Sequence, residues 1–155
     1  MEPTKTGSQV SNDHGRTLLK ACIQRHVKEV LPNSPAIYIC DRDGYIKFYN
    51  NAAVALWGRK PEIGKDLWCG SWKIFTCDGT PTSFDECPMA RSMKLGISIR
   101  GEEILIERPD GNRIKVMPHP DPIFDSNGDV VGAINILVDM TRAAKEASIR
   151  PHQLL

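Results

Sequence analysis

Apolar and polar positions divide the chain into a polar head, one long amphipathic helix, and a series of short strands interrupted by shorter helices. Residues 1–16 are polar, carry Gly, Ser, Asn and Asp, and read as a loose tail. From Thr17 to Leu31 the apolar residues Leu19, Ile23, Val27 and Val30 recur at helical spacing, with Leu18, Cys22 and Leu31 beside them. Lys20, Gln24, Arg25, Lys28 and Glu29 occupy the other side. This spacing predicts an amphipathic helix over 17–31, ended by Pro32 and Pro35. AIYIC (36–40), the turn signal DRDG (41–44) and YIKFY (45–49) predict a hairpin. Strict alternation would put Ile46 and Phe48 on one face, and Tyr45, Lys47 and Tyr49 on the other.

Asn50 is the expected N-cap of a short helix, 51–58, that stops at Gly58. Residues 59–84 are irregular and rich in Gly and Pro, and no helix is assigned within them. Trp68, Trp72 and Phe75 imply that this segment folds back onto the core. A second helix is predicted over 85–96, capped by Asp85, with Pro88 in the first turn, Lys94 in the last and Gly96 as terminator. Residues 100–119 predict a hairpin about Pro109–Asn112, with Ile104 and Ile106 facing Ile114 and Val116. After a turn at 126–129 comes 130–138, the longest and most apolar strand, expected at the centre of an antiparallel sheet. It runs through Asp139-Met140-Thr141 into the charged, Ala-rich RAAKEASIR with no Gly or Pro between. A strand joined to a helix without a flexible spacer can transmit a small twist.

The 155 residues suit about one domain with its own core. A net charge of +1 without a basic block argues against nucleic acid as the main partner. No apolar run reaches the roughly 20 residues of a membrane span, and the N-terminus lacks the apolar core of a secretory signal. Five irregularly spaced cysteines read as reduced thiols, which points to the cytoplasm.

AIYICDRDGYIKFYNNAAVALWG and GDVVGAINILVDMT, with GSWKIF, DECPMARSMKLG and ERPDGNRI between them, resemble a PAS domain over about residues 34–141. The middle portion is similar to a bacterial subgroup found ahead of histidine kinases. The resemblance implies an α+β fold: a five-stranded antiparallel sheet of order 2-1-5-4-3, with helices on one face enclosing a pocket. The helix 17–31 would flank the domain, and 142–155 would begin an output helix of a longer protein. Asp139-Met140-Thr141 matches the family's Asp-x-Thr element, which makes Asp139 and Thr141 candidate relay residues and Thr141 a candidate cap for the output helix.

Candidate pocket liners are Trp57, Trp72, Phe75, Met89, Met93, Ile104, Met117 and Ile136. These residues either line a ligand site or simply fill the core. No ligand is identified by the sequence. Haem is disfavoured because the helix before the third strand carries no His, and Met89 or Met93 on a helical stripe reads as core. Covalent flavin chemistry is disfavoured because the Asn-Cys-Arg-Phe-Leu stretch of related light sensors is missing. Cys87, at a helix start, is a candidate redox thiol, though Asp85 and Glu86 oppose a lowered pKa. Cys69, Cys77 and Cys87 lack zinc-site spacing, and no phosphate loop or nucleophile elbow appears. Three readings follow for a non-catalytic chain. It is a sensory module that relays a small ligand or cue to a downstream effector, expected to be a histidine kinase. Alternatively it is a ligand-free dimerisation module acting through helix 17–31, or a redox switch at Cys87.

Overall fold

The computed structural model describes residues 35–141. The expected tail 1–16, helix 17–31 and output segment 142–155 lie outside the described residues. Strands β1 (Ala36–Asp41) and β2 (Ile46–Tyr49) form the opening hairpin, and helix α1 (Asn51–Trp57) follows. Two short strands come next, β3 (Lys73–Phe75) and β4 (Pro81–Thr82), then a 3₁₀ turn (Phe84–Glu86) and helix α2 (Pro88–Leu95). Strands β5 (Ile104–Glu107), β6 (Arg113–Phe124) and β7 (Val130–Asp139) complete the fold.

The architecture is α+β with one antiparallel sheet. Among the described residues it has seven strands rather than the five expected, and its order, β2-β1-β7-β6-β5-β3-β4, differs from 2-1-5-4-3. The difference comes from 59–84. That segment supplies β3, which pairs with β5 through Ile74 and Ile106, and β4, which pairs with β3. Both strands therefore extend the sheet beyond β5. The long apolar β7 is central, held between β1 and β6.

Residues directly opposite each other in antiparallel strands share a face. Tyr38 with Asn135, Cys40 with Ala133, Ala36 with Leu137, Ile104 with Val116 and Ile106 with Ile114 therefore point to one side. On that side α1 packs against β1, and α2 against β6 and β7. Together they form the main core with Trp57, Met89, Ala90 and Met93. The expected pairing of Ile104 and Ile106 with Val116 and Ile114 is the one observed.

The opening hairpin departs from strict alternation. Ile39 pairs with Phe48, but Cys40 pairs with Ile46, so Lys47 is an extra residue in β2. Such a bulge reverses which face the following side chains take. Ile46 and Tyr49 consequently face the helices, and Phe48 faces away with Ile39.

Helix termini follow local chemistry. Asn50 Oδ1 accepts the Ala53 N–H at 3.0 Å, as an N-cap should, and also the Ile37 N–H at 3.0 Å. Its Nδ2 donates to Pro35 O at 2.7 Å. Gly58 and Gly96 close α1 and α2 in left-handed conformations. Asp85 is not the cap of α2, because Pro88 moves the helix start three residues on. Cys87 is the N-cap, its Sγ accepting from Ala90 N at 3.5 Å. Asp85 instead accepts the Ser83 hydroxyl within the preceding turn. In β6, Pro118, Pro120 and Pro122 alternate beyond the residues paired with β5, and Pro120 O accepts from Ile99 N at 3.3 Å. Prolines there withhold donors from a partly open edge.

Asn50→Ala removes an N-cap and two bonds that tie α1 to the start of β1. The expected cost is about 1–3 kcal/mol, read as a lower urea midpoint at unchanged slope.

Candidate functional site

The space between the sheet and the two helices, where the resemblance implies a pocket, is occupied by side chains. Its centre is the indole of Trp57, the last residue of α1, which is fully buried. The ring meets Tyr38 edge-on at 5.1 Å and Tyr49 at 6.2 Å. The backbone of the 59–72 loop passes directly over it. A Cβ added to Gly70 would lie 2.4 Å from the Trp57 ring, so only glycine allows that approach. The Trp57 indole N–H has no hydrogen-bond partner among the described residues.

Beside the indole, a chain of hydrogen bonds crosses the sheet. Tyr38 Oη donates to Trp68 O at 2.7 Å, and Asn135 Nδ2 donates to Tyr38 Oη at 3.1 Å. The His119 backbone N–H donates to Asn135 Oδ1 at 3.0 Å. The chain thus links the loop to β1, β7 and β6. Trp68 carries the only positive φ of a non-glycine residue among those described, +68°. Its carbonyl accepts from Tyr38, its N–H donates to Gly44 O at 2.8 Å, and its ring lies where a Gly44 Cβ would be. A conformation of this kind persists because its surroundings over-determine it.

Three buried thiols flank Tyr38: Cys40, Cys69 and Cys87. Burial pushes the Cys87 thiol from its ordinary 9.0 to about 12, and the neighbouring Cys69 adds to the effect. Burial also raises Cys69, against the opposing bond from Ser71, and raises Cys40 and the Tyr38 phenol well above their ordinary values. All four are therefore neutral near pH 7. Reactive cysteines need thiolate and access, and Cys87 has neither, so the redox reading loses its physical basis. Cys77 is the exposed cysteine of those described.

The sequence-predicted liners do not form one group. Trp57, Met89, Met93 and Ile104 come together in the core. Phe75 is buried on the opposite face, beneath the Arg113 guanidinium at 3.7 Å. Met117 and Ile136 also face away from the helices, because their neighbours Val116 and Asn135 face inward and side chains alternate along a strand. Trp72 is 52% exposed and lines an open surface groove of about 500 Å³ with Arg59, Leu67, Trp68, Ser71 and Phe84. Tyr38, Asn135 and Ser71 were not predicted. Asn135 had a signal: it is a polar residue at an inward position of an otherwise apolar strand.

At the far end of β7, Met140 and Thr141 have helical backbone. The Thr141 hydroxyl accepts the Lys115 N–H from β6 at 3.4 Å. Among the described residues no group of three or more His, Cys, Asp or Glu side chains is placed to hold a metal. No helix of those residues is long and apolar enough to cross a membrane.

The PAS-domain family model matches residues 34–142, and the chain belongs to that family. Solved structures share the fold at low identity. The light-state structure of the aureochrome1 LOV domain is 15% identical, with a TM-score of 0.54 over 88% of this chain and 98% of that one. The LOV domain of the blue-light activated histidine kinase EL346 from Erythrobacter litoralis is 19% identical, with a TM-score of 0.52 over 72% and 98%. The PAS domain of the fruit-fly ELK potassium channel is 14% identical, with a TM-score of 0.50 over 69% and 87%. No curated protein matches.

Cys40, Cys69, Cys87 and Tyr38 all have folded pKa values raised above their unfolded ones. Their contribution to stability is complete below the unfolded values and is lost as pH rises toward the folded ones. The unfolding free energy should fall from about pH 9 upward, by up to about 1.4 kcal/mol per pH unit for each group titrating. Urea melts between pH 7 and 11 check this, with the Cys87→Ala chain showing a shallower decline.

Proposed function

We propose that this chain is a sensory input module. It registers a small ligand or cytosolic cue in the region of Trp57 and Tyr38. It relays the change along β7, through Asp139 and Thr141, into the following helix and so to a downstream effector. The observation that carries the reading is the hydrogen-bonded path from Trp68 through Tyr38 to Asn135. It ties the loop over the interior to the central strand that leads out of the domain. The unpartnered Trp57 N–H is a donor that a ligand acceptor in this region would satisfy. A histidine kinase is the effector class we favour. Its grounds are the resemblance of the middle segment and the presence of a histidine kinase LOV domain among the structural neighbours. In this reading the chain performs no chemistry of its own, and its site is cytoplasmic.

A second reading is a ligand-free interaction module, with helix 17–31 as the dimer contact. Trp57 filling the interior favours it.

Native mass spectrometry of the purified chain, with an absorption spectrum of the same sample, separates the two. The sensory reading predicts added mass that is lost on denaturation. A mass equal to the bare chain, together with a population of dimers, would favour the second reading.

A further inference from the structure

The 59–72 loop has two sides. Its inner side sets Gly70 against the Trp57 ring. Its outer side forms one wall of the surface groove of about 500 Å³, and the 83–85 turn forms the other. The groove is separate from the interior, but the wall between them is thin. Cys69 lines the groove, and its thiol also meets the Tyr38 hydroxyl. The apolar part of the lining is Leu67, Trp68, Trp72 and Phe84. Trp68 is already engaged: its ring lies against Gly44, and the Lys94 ammonium sits over it at 5.4 Å. Trp72 is 52% exposed, and among the described residues no ring or cation stacks on it. A flat apolar surface laid on that indole would remove both from water, which is favourable.

The polar part of the lining is balanced in charge, with Arg59 and Lys65 against Asp66 and Asp85. Arg59 pairs with Asp66 at 3.3 Å, and Lys65 pairs with Glu62. An ionic ligand therefore meets no excess of opposite charge. What the groove offers is donors beside acceptors: the Arg59 guanidinium, the Asp66 and Asp85 carboxylates, and the buried Ser71 hydroxyl. A neutral hydroxyl, donor and acceptor at once, can bond to every one of these groups. A pyranose ring meets both requirements. One of its faces is a set of C–H bonds that lies flat on an indole, and its edge is a rim of neutral hydroxyls. A flat heterocycle also stacks on Trp72 but brings fewer groups to the polar lining. A groove of this size holds about one or two sugar rings.

We propose that this outer groove binds a neutral sugar, its pyranose face stacked on Trp72 and its hydroxyls held by Arg59, Asp66, Ser71 and Asp85. This goes beyond the sensory reading and does not rest on it, since binding here requires no ligand in the interior and no relay along β7. Through Cys69 it sets an occupant beside the Tyr38 hydroxyl.

The test is a titration of the full, isotope-labelled chain with glucose, galactose, mannose, maltose and cellobiose, read in the amide and indole N–H signals by NMR. The expected result is a saturable shift of the Trp68 and Trp72 indole signals and the Ser71 amide with at least one of these sugars. Trp72→Ala, followed at the Ser71 amide, should weaken that binding by about tenfold or more, and Trp72→Phe, which keeps a ring, should weaken it less. Because Trp72 is more than half exposed, both variants should keep the urea midpoint of the unaltered chain. Leu95→Ala, at an exposed position on the last turn of α2, should bind as the unaltered chain does. No saturable shift with any of these sugars overturns the proposal. So does an unchanged affinity in Trp72→Ala, or a saturable shift confined to signals outside the groove. Adenosine is titrated alongside: saturation by adenosine and by none of the sugars assigns the groove to a flat heterocycle and overturns it too.

Discussion

The interior of this domain depends on the contact of Trp57 with Gly70. An indole is the largest side chain available, and here it sits fully buried at the end of a two-turn helix. It fixes how far α1 stands from the sheet through Tyr38 and Tyr49, and it fixes where the long loop can pass. Because Gly70 lies hard against the ring, the loop that follows is pinned, and Trp68 two residues earlier is held in a left-handed conformation between Gly44 and Tyr38. The packing and the polar path are therefore one arrangement. The loop cannot move without disturbing the Tyr38 hydroxyl, and Tyr38 cannot move without disturbing Asn135.

That coupling matters because of where Asn135 stands. β7 is central, paired on both sides, and continues into helical backbone at Met140. A buried polar group in such a strand is costly unless it is satisfied, and here each bond partner belongs to a different element. In the function we propose, this hydrogen-bonded path is the route from the interior to the end of β7. The neutral thiols around Tyr38 keep this region free of charge near pH 7, so the hydrogen bonds act in a low-dielectric setting.

Much of the fold could be read from local signals. Asn50, Gly58 and Gly96 mark helix ends because capping depends on a few adjacent residues. The pairing of Ile104 and Ile106 with Val116 and Ile114 follows from a short hairpin turn, which fixes register. The failures have non-local causes. The bulge at Lys47 is invisible to a period of two, and it exchanged the faces of Phe48 and Tyr49. β3 and β4 are too short to show periodicity and form only because the edge of β5 is available. The site was less legible than the fold. Met117 and Ile136 suit a pocket by size and apolarity, but parity with Val116 and with Asn135 puts them on the far face. Tyr38 and Asn135 became visible as a pair only once β1 and β7 were placed side by side.

The most direct test of the central claim is a double-mutant cycle between positions 70 and 57, followed by urea denaturation. Gly70→Ala adds one methyl at a position whose φ is ordinary, so its effect is steric rather than conformational. The account predicts a loss of about 1–3 kcal/mol in the Trp57 chain, and a clearly smaller loss once Trp57→Phe has removed the larger ring. Equal losses in both backgrounds, or none in the first, would contradict it.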